Sequence, residues 1–371
     1  VTDLLAAARD RLDAMLTDLG RLVEIESPSR DAVALTRSAH EVAALLERHT
    51  GRPAELIDSE AGPHVLWRGG GEPRVLILGH HDTVFPAGTL EQRPFRVLEG
   101  RAMGPGVYDM KAGIVQAVHA LALVDDPSTV EILFTSDEEV GSGTSRQLVE
   151  DRARGCGAVL VLEPSARGGA LKTARKGTGT FEVVITGRAA HAGLEPERGV
   201  NALVEAAHQI PVIAALTRPE LGTTVTPTLA TAGIADNVVP DRCVITVDAR
   251  AAQAEEKERV ETAMAGLVPV LDGAAIEVTG GLRRPPMPAS ASQELMALAR
   301  QVATDLGLGT LEAVEVGGGS DGNFTGALGI PTLDGLGAVG DGAHTPGEYV
   351  EVSTLPERTA LIAGIITQLS R

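Results

Sequence analysis

The segment EILFTSDEEVGS, residues 131–142, runs from apolar, strand-like residues straight into three adjacent carboxylates, Asp137, Glu138 and Glu139. Adjacent carboxylates repel. A continuing strand would also turn Glu138 and Glu139 to opposite faces, and so into different surroundings. Residues of the same kind recur at comparable places. His80 and Asp82 follow an apolar run in LILGHHDTV, Asp109 lies in the glycine-rich GPGVYDMKAG, and Glu163 follows the apolar run of VLVLEP. His80 and Asp109 are 29 residues apart, Asp109 and Glu138 are 29 apart, and Glu138 and Glu163 are 25 apart. Such gaps resemble successive strand–helix–strand units of about 30 residues. In open sheets of that build, functional groups gather beyond the carboxyl ends of the strands. A second imidazole, His344, sits in GDGAHTPGEYV after the strand-like PTLDGLGAV. Two imidazoles with several carboxylates suit zinc, with manganese or cobalt as alternatives. Two divalent ions bring four positive charges. Asp109, Glu139, Glu163 and a bridging hydroxide would balance them beside neutral His80 and His344, so the charge count favours two metals over one.

The elements that must position these residues can be read from periodicity. Residues 1–24 form a helical stripe through Leu4, Leu5, Ala8, Leu12, Met15, Leu16 and Leu19, and a second helix covers about 31–49. Strands at 74–79, 129–136 and 158–164 then alternate with helices at 110–124 and about 142–153. These strands are continuously apolar, as expected of strands buried on both faces. From about 177 the order becomes β-α-β-β-α-β, the split ferredoxin-like unit. After RRPPMP (283–288) helix–strand alternation resumes and ends in a helix at about 353–370. The expected fold is α/β. A catalytic domain with a mostly parallel central sheet spans 1–176 and 284–371, and an α+β ferredoxin-like domain is inserted at 177–283.

Composition narrows the partners. With 32 basic against 50 acidic residues the net charge is −18, which argues against nucleic acid and anionic membranes. No apolar run approaches a membrane span. Cys156 and Cys243 lie far apart in sequence and read as buried thiols of a reducing compartment. The N-terminal amphipathic helix lacks an export pattern, so a cytoplasmic location is expected.

The ordered set GHHDTV (79–84), GVYDMKAG (106–113), DEEVGS (137–142), EP (163–164), GRAAHAG with GVNAL (187–203), GGGSDG (317–322) and GAHTPGEYV (342–350) covers nearly the whole chain. It resembles the di-zinc exopeptidases and N-acyl amino acid deacylases, the glutamate carboxypeptidases in particular. That resemblance implies a zinc-exopeptidase-like catalytic domain with an inserted dimerisation or lid domain, and two zinc ions per subunit, cobalt or manganese being able to substitute. One ion would be held by His80 and Glu163, the other by Glu139 and His344, with Asp109 bridging and followed by a cis peptide. Glu138, facing away from Glu139, would be the general base, and Asp82 would orient His80. His81 would be a packing or surface residue.

The resemblance also implies a homodimer in which His191, assisted by Asn237, reaches the partner's site to stabilise the developing oxyanion. A substrate carboxylate would meet Arg250 and Arg284, with Arg283 leaving that register open, and the backbone of GGGSDG at Gly318 and Ser320. The implied activity is hydrolysis of an amide beside a free carboxylate, in an N-acyl amino acid or short peptide. Deacylation of the acetylornithine or succinyl-diaminopimelate type is the alternative. TARKGTG (173–179) departs from the glutamate carboxypeptidases and leaves the acyl and amino acid groups open.

Rival readings exist. GGGSDG also satisfies G-x-S-x-G, with Ser320 as nucleophile, Asp334 or Asp341 next and His344 last. It matches the dinucleotide pattern G-x-G-x-x-G as well. A serine hydrolase leaves His80, Asp109, Glu138, Glu139 and Glu163 without a purpose. A non-catalytic metal-binding scaffold should have lost ligands or the base, and none is missing.

Overall fold

Continuously apolar strands need cover on both faces, and the computed structural model, which describes residues 2–370, supplies it. A six-stranded sheet runs in the spatial order Glu55–Ile57, His64–Arg68, Val130–Thr135, Val75–His80, Ala158–Val161, Thr332–Leu333. The last four strands in that order are mutually parallel, and the first two add antiparallel at one side. Every residue of Val75–His80 and Val130–Thr135 is buried. The helix Ala112–Leu121 is also buried along its whole length and packs against Leu355–Leu369. Pairing of His80 with Thr135 and of Leu78 with Val161 brings three parallel strands to an end side by side.

The chain divides into two compact units. The first comprises the residues up to Ala174, Pro288–Val316 and Ser320 onward; the second comprises Arg175–Met287 with Gly317–Gly319. The second unit is a four-stranded antiparallel sheet in the order Thr224–Ala232, Arg242–Ala251, Gly177–Thr186, Ala275–Arg284. Along Arg242–Ala251 the buried residues are Cys243, Ile245, Val247, Ala249 and Ala251, an alternation that fixes register because a one-residue slip would expose all five. Helices Ala202–Ala214 and Ala254–Ala265 complete the β-α-β-β-α-β order. Both cysteines are buried and unbridged.

One expectation fails at the N-terminus. The single helix expected over 1–24 is two, Thr2–Asp10 and Leu12–Val23, broken at Arg11. From that break the Arg11 guanidinium donates to Nδ1 of His119 (3.1 Å) and of His49 (2.9 Å). A guanidinium only donates, so each imidazole carries its proton on Nε2. Those protons go to Asp18 Oδ2, at 2.7 Å from His49 and 3.0 Å from His119, while Arg48 takes Oδ1 at 2.9 Å. Asp18, His49 and His119 have ligand atoms close enough for a metal ion, but two guanidiniums already supply the positive charge there. The network is a polar clasp joining three helices.

Burial alone would raise the Asp18 carboxyl, yet the hydrogen bonds from His119 and His49 carry it down from 3.8 to about 2. At about 1.4 kcal/mol per pKa unit, that depression corresponds to about 2 kcal/mol of folding stability. Because the folded-state value lies below the unfolded one, the stabilisation is present above about pH 4 and is lost as pH falls toward 2. Asp18→Asn should therefore lower stability by about 2 kcal/mol at neutral pH. In urea melts of both proteins from pH 7 to pH 3, the gap should narrow below about pH 4; a constant gap would show that the carboxylate charge is not the cause.

Candidate metal centre

The side-by-side strand ends deliver the site. His80 is the last residue of its strand, Glu138 and Glu139 come soon after Thr135, and Glu163 soon after Val161. Asp109 comes from the loop before helix Ala112–Leu121, and His344 from the loop between Gly340–Asp341 and Tyr349–Glu351. His80 Nε2 lies 3.3 Å from Asp109 Oδ1 and 3.5 Å from Glu163 Oε1. His344 Nε2 lies 3.3 Å from Asp109 Oδ2 and 3.1 Å from Glu139 Oε1. Asp109 thus offers one oxygen to each imidazole. The ligand atoms of His80, Asp109 and Glu139 all lie within 4.8 Å of one another, and so do those of His80, Glu138 and Glu163.

These separations fit shared cations. Ligand atoms held about 2.1 Å from one tetrahedral ion stand about 3.4 Å apart. The electrostatics agree. Burial opposes charge on the His80 imidazole, but Asp109, Asp82 and Glu163 outweigh it and raise its pKa well above the ordinary value. Hydrogen bonds donated to Asp109 and Glu139 push His344 up to about 10, and burial pushes Glu139 upward. Burial would also raise Asp109, but its bonds to His344 and His80 hold it far below the usual carboxylate range. The pocket demands positive charge.

His80 is oriented from behind. Its Nδ1 lies 3.0 Å from the Asp82 carbonyl and 3.3 Å from Asp82 Oδ1, both acceptors, so Nδ1 carries a proton and Nε2 is the nitrogen turned toward Asp109 and Glu163. The Asp82 carboxylate also accepts the backbone N–H groups of Glu138 and Glu139, each at 3.2 Å, and the Ser29 hydroxyl at 2.7 Å. Here the alternation expected for the two glutamates fails. The strand stops at Thr135, and Glu138–Val140 is a 3₁₀ turn pinned by Asp82. Both carboxylates therefore approach the His80 imidazole instead of facing opposite sides.

Two carboxylates escaped the reading of the sequence. Asp321 accepts the Thr135 hydroxyl at 3.1 Å and the Ser142 hydroxyl, tying GGGSDG to the strand end. Glu348, four residues beyond His344, is buried and accepts the N–H groups of Gly106, Tyr108 and Asp109. Its place in the GAHTPGEYV motif was a signal, but nothing local announced its burial. The Asp109–Met110 peptide is cis. His81 is buried between Ser38 and the Pro63 carbonyl, and burial lowers it to about 4, as befits a packing residue.

Ser320 departs from both roles considered for it. It is fully buried, its hydroxyl donates to Asp334 Oδ2 at 2.6 Å, and its N–H donates to Asn323 Oδ1 at 2.8 Å. Neither group is left for a substrate. No imidazole activates the hydroxyl either, since His344 lies on Asp109 and Glu139.

The remaining expected residues belong to the second unit. His191 is exposed and its Nδ1 accepts the Gly193 N–H at 3.1 Å, which leaves the proton on Nε2. Asn237 is adjacent, its carbonyl taking the Ala192 N–H at 2.9 Å. Arg250 is braced by Asp248 at 3.1 Å and by the Gly317 carbonyl at 2.9 Å. The Gly318 carbonyl is held by Arg175 at 3.2 Å. Arg284 is half-buried, with its stem beside Gly319, whereas Arg283 is exposed.

Fold and site together define a hydrolase with a carboxylate-rich metal centre. Residues 76–368 match the sequence profile of peptidase family M20/M25/M40. The chain is 33% identical over 384 aligned residues to Carboxypeptidase G2 of Pseudomonas sp. strain RS-16, covering 99% of this chain and 92% of that protein. It is 28% identical over 330 residues to succinyl-diaminopimelate desuccinylase of Xylella fastidiosa, covering 80% and 85% of the two chains. The solved structure of aminopeptidase PepT from Bacillus cereus shares the fold, with a TM-score of 0.76, 22% identity and coverage of 97% and 99%. The chain belongs to the M20/M25/M40 family and is a metal-dependent hydrolase.

Ser320→Ala should uncover the buried Asp334 carboxylate and cost about 1–3 kcal/mol of stability. It should leave turnover within a few-fold of wild type. Thermal melts and steady-state rates check both, and a folded but inactive variant would reinstate the serine as nucleophile.

Proposed function

We propose that this enzyme hydrolyses an amide bond beside a free carboxylate at a centre of two zinc ions, with cobalt or manganese as substitutes. His80 and Glu163 would hold one ion, Glu139 and His344 the other, and Asp109 both. The observation that carries this reading is the division of the Asp109 carboxylate between two imidazoles, 3.3 Å from each. Bound there, the ions would polarise the scissile carbonyl and acidify a water.

The chain's own residues do the rest. Glu138 is nearly fully buried beside His80 and Glu163, and it takes a proton from the attacking water and returns it to the leaving amine. Asp82 keeps the proton on His80 Nδ1. His191 presents its Nε2–H as an oxyanion donor to the partner subunit's centre, with Asn237 assisting. Arg250, aligned by Asp248, and Arg284 receive the substrate carboxylate together with the Gly318 backbone.

In this reading residues 177–283 form a dimerisation and lid domain, and 1–176 with 284–371 form the catalytic domain. Exposed apolar side chains support a homodimer through it: Leu203, Val204 and Val212 on one helix, Leu229 on the edge strand, and Ile234. Among the described residues no helix is long and apolar enough to cross a membrane. The two buried, unbridged cysteines favour the cytoplasm.

The full-length similarity to Carboxypeptidase G2 favours release of a C-terminal amino acid, and the resemblance of the motifs to the glutamate carboxypeptidases makes glutamate the favoured one. The similarity to succinyl-diaminopimelate desuccinylase favours a second reading, removal of an acyl group from a diamino acid, by the same chemistry. A panel of acyl-glutamates, acyl-diamines and dipeptides, assayed on chelated and zinc-restored enzyme, separates the two. Glu138→Gln should keep two ions per subunit and lose turnover roughly 100- to 10,000-fold. Wild-type rates in that variant would remove Glu138 from the mechanism.

A further inference from the structure

The loop that carries His344 is exposed from His344 through Gly347, yet the next residue, Glu348, is only 2% exposed. A buried carboxylate is costly unless donors meet it. Here three do, all of them backbone N–H groups: Gly106 at 3.0 Å on Oε2, and Tyr108 at 2.8 Å and Asp109 at 2.9 Å on Oε1. Neighbouring N–H groups converging on one anion make a nest-like cradle; the Val107 N–H between them goes instead to the Gly104 carbonyl at 3.2 Å. Gly106 makes this one possible, because it sits at φ 72° and a Cβ there would come 2.5 Å from Thr83 Cγ2. The ammonium of Lys111, buried and donating to the Ile25 carbonyl at 2.8 Å, adds attraction.

The run of donors ends at Asp109, and the acceptor stands four residues from His344. One side chain therefore closes a ring. On one side Asp109 Oδ2 lies 3.3 Å from His344 Nε2; on the other, the Asp109 N–H lies 2.9 Å from Glu348 Oε1. Any shift of the His344 loop must drag the Asp109 loop with it. We infer that Glu348 is a positioning residue that locks the Asp109 loop to the His344 loop and so fixes the spacing of the ligands they share. This rests on the two-metal reading above. Glu348 touches neither substrate nor ion in this role.

Glu348→Gln is the test, since it keeps the volume but replaces one acceptor oxygen with an NH₂ that cannot accept an N–H. In metal-free protein, hydrogen–deuterium exchange of the Gly106, Tyr108 and Asp109 amides should quicken at least tenfold, while helix Ala112–Leu121 stays protected. Chelator competition with cobalt should show at least one of the two ions bound roughly 10- to 100-fold more weakly. The visible spectrum of bound cobalt should change, with the far-ultraviolet circular dichroism unaltered. Glu348→Asp, which keeps the charge on a shorter stem, should fall between the two, and it serves if the glutamine variant does not fold. Unchanged exchange, or two ions held with wild-type affinity and spectrum, overturns the inference. A wild-type protein that takes up no cobalt or zinc would instead sink the two-metal reading, while the exchange result would still decide whether Glu348 holds the loop.

Discussion

Asp82, Asp109, Glu138, Glu139 and Glu163 are crowded together where three parallel strands end, and like charges that close repel one another unless positive charge or hydrogen-bond donors stand among them. The rest of the catalytic unit answers to this constraint. A sheet buried on both faces gives the strand ends a fixed spacing, and the acids sit just beyond them. Free of cations, the cluster draws protons onto His80 and His344. The same pull that raises two imidazoles would retain divalent ions, which is why the ligand set and the charge imbalance are one feature and not two.

Holding acids together against repulsion needs donors, and several of them are backbone N–H groups. Asp82 takes those of Glu138 and Glu139, and Glu348 takes those of Gly106, Tyr108 and Asp109. A backbone donor offers partial positive charge without a flexible stem, so it costs little side-chain entropy to fix. It also ties a carboxylate to a neighbouring loop, not merely to another side chain. The loops around the centre are therefore cross-linked by the acids that surround it, and Asp321 extends the pattern to the strand end at Thr135.

Much of this was legible in the sequence, for a physical reason. Buried parallel strands must be apolar throughout, so their ends can be located to within about three residues, and the chemistry lies among the polar residues just beyond. His80, Glu138, Glu139 and Glu163 are reached that way, while the division of roles between the two glutamates comes from the family resemblance. The conformation past a strand end is governed by longer-range bonds, which no local pattern records. Glu138 and Glu139 read as alternating because a strand was assumed to continue, whereas Asp82, more than fifty residues earlier, winds them into a 3₁₀ turn. The break at Arg11 depends on His49 and His119, and the burial of Glu348 depends on a loop some 240 residues away. Partners so distant leave no local trace.

Ser320 shows the same limit from the other side. A glycine-rich loop with serine in the middle satisfies motifs for nucleophiles and for phosphate binding because both need tight backbone turns. Here the serine spends its hydroxyl on Asp334 and its N–H on Asn323. Motif matching cannot separate these cases, since it records the turn and not the partner. The metal-ligand reading survives where the serine reading fails because it rests on several residues from separate loops that must converge at one point. Such convergence is hard to produce by composition alone, whereas a glycine-rich pentapeptide is easy to produce in a chain with 43 glycines.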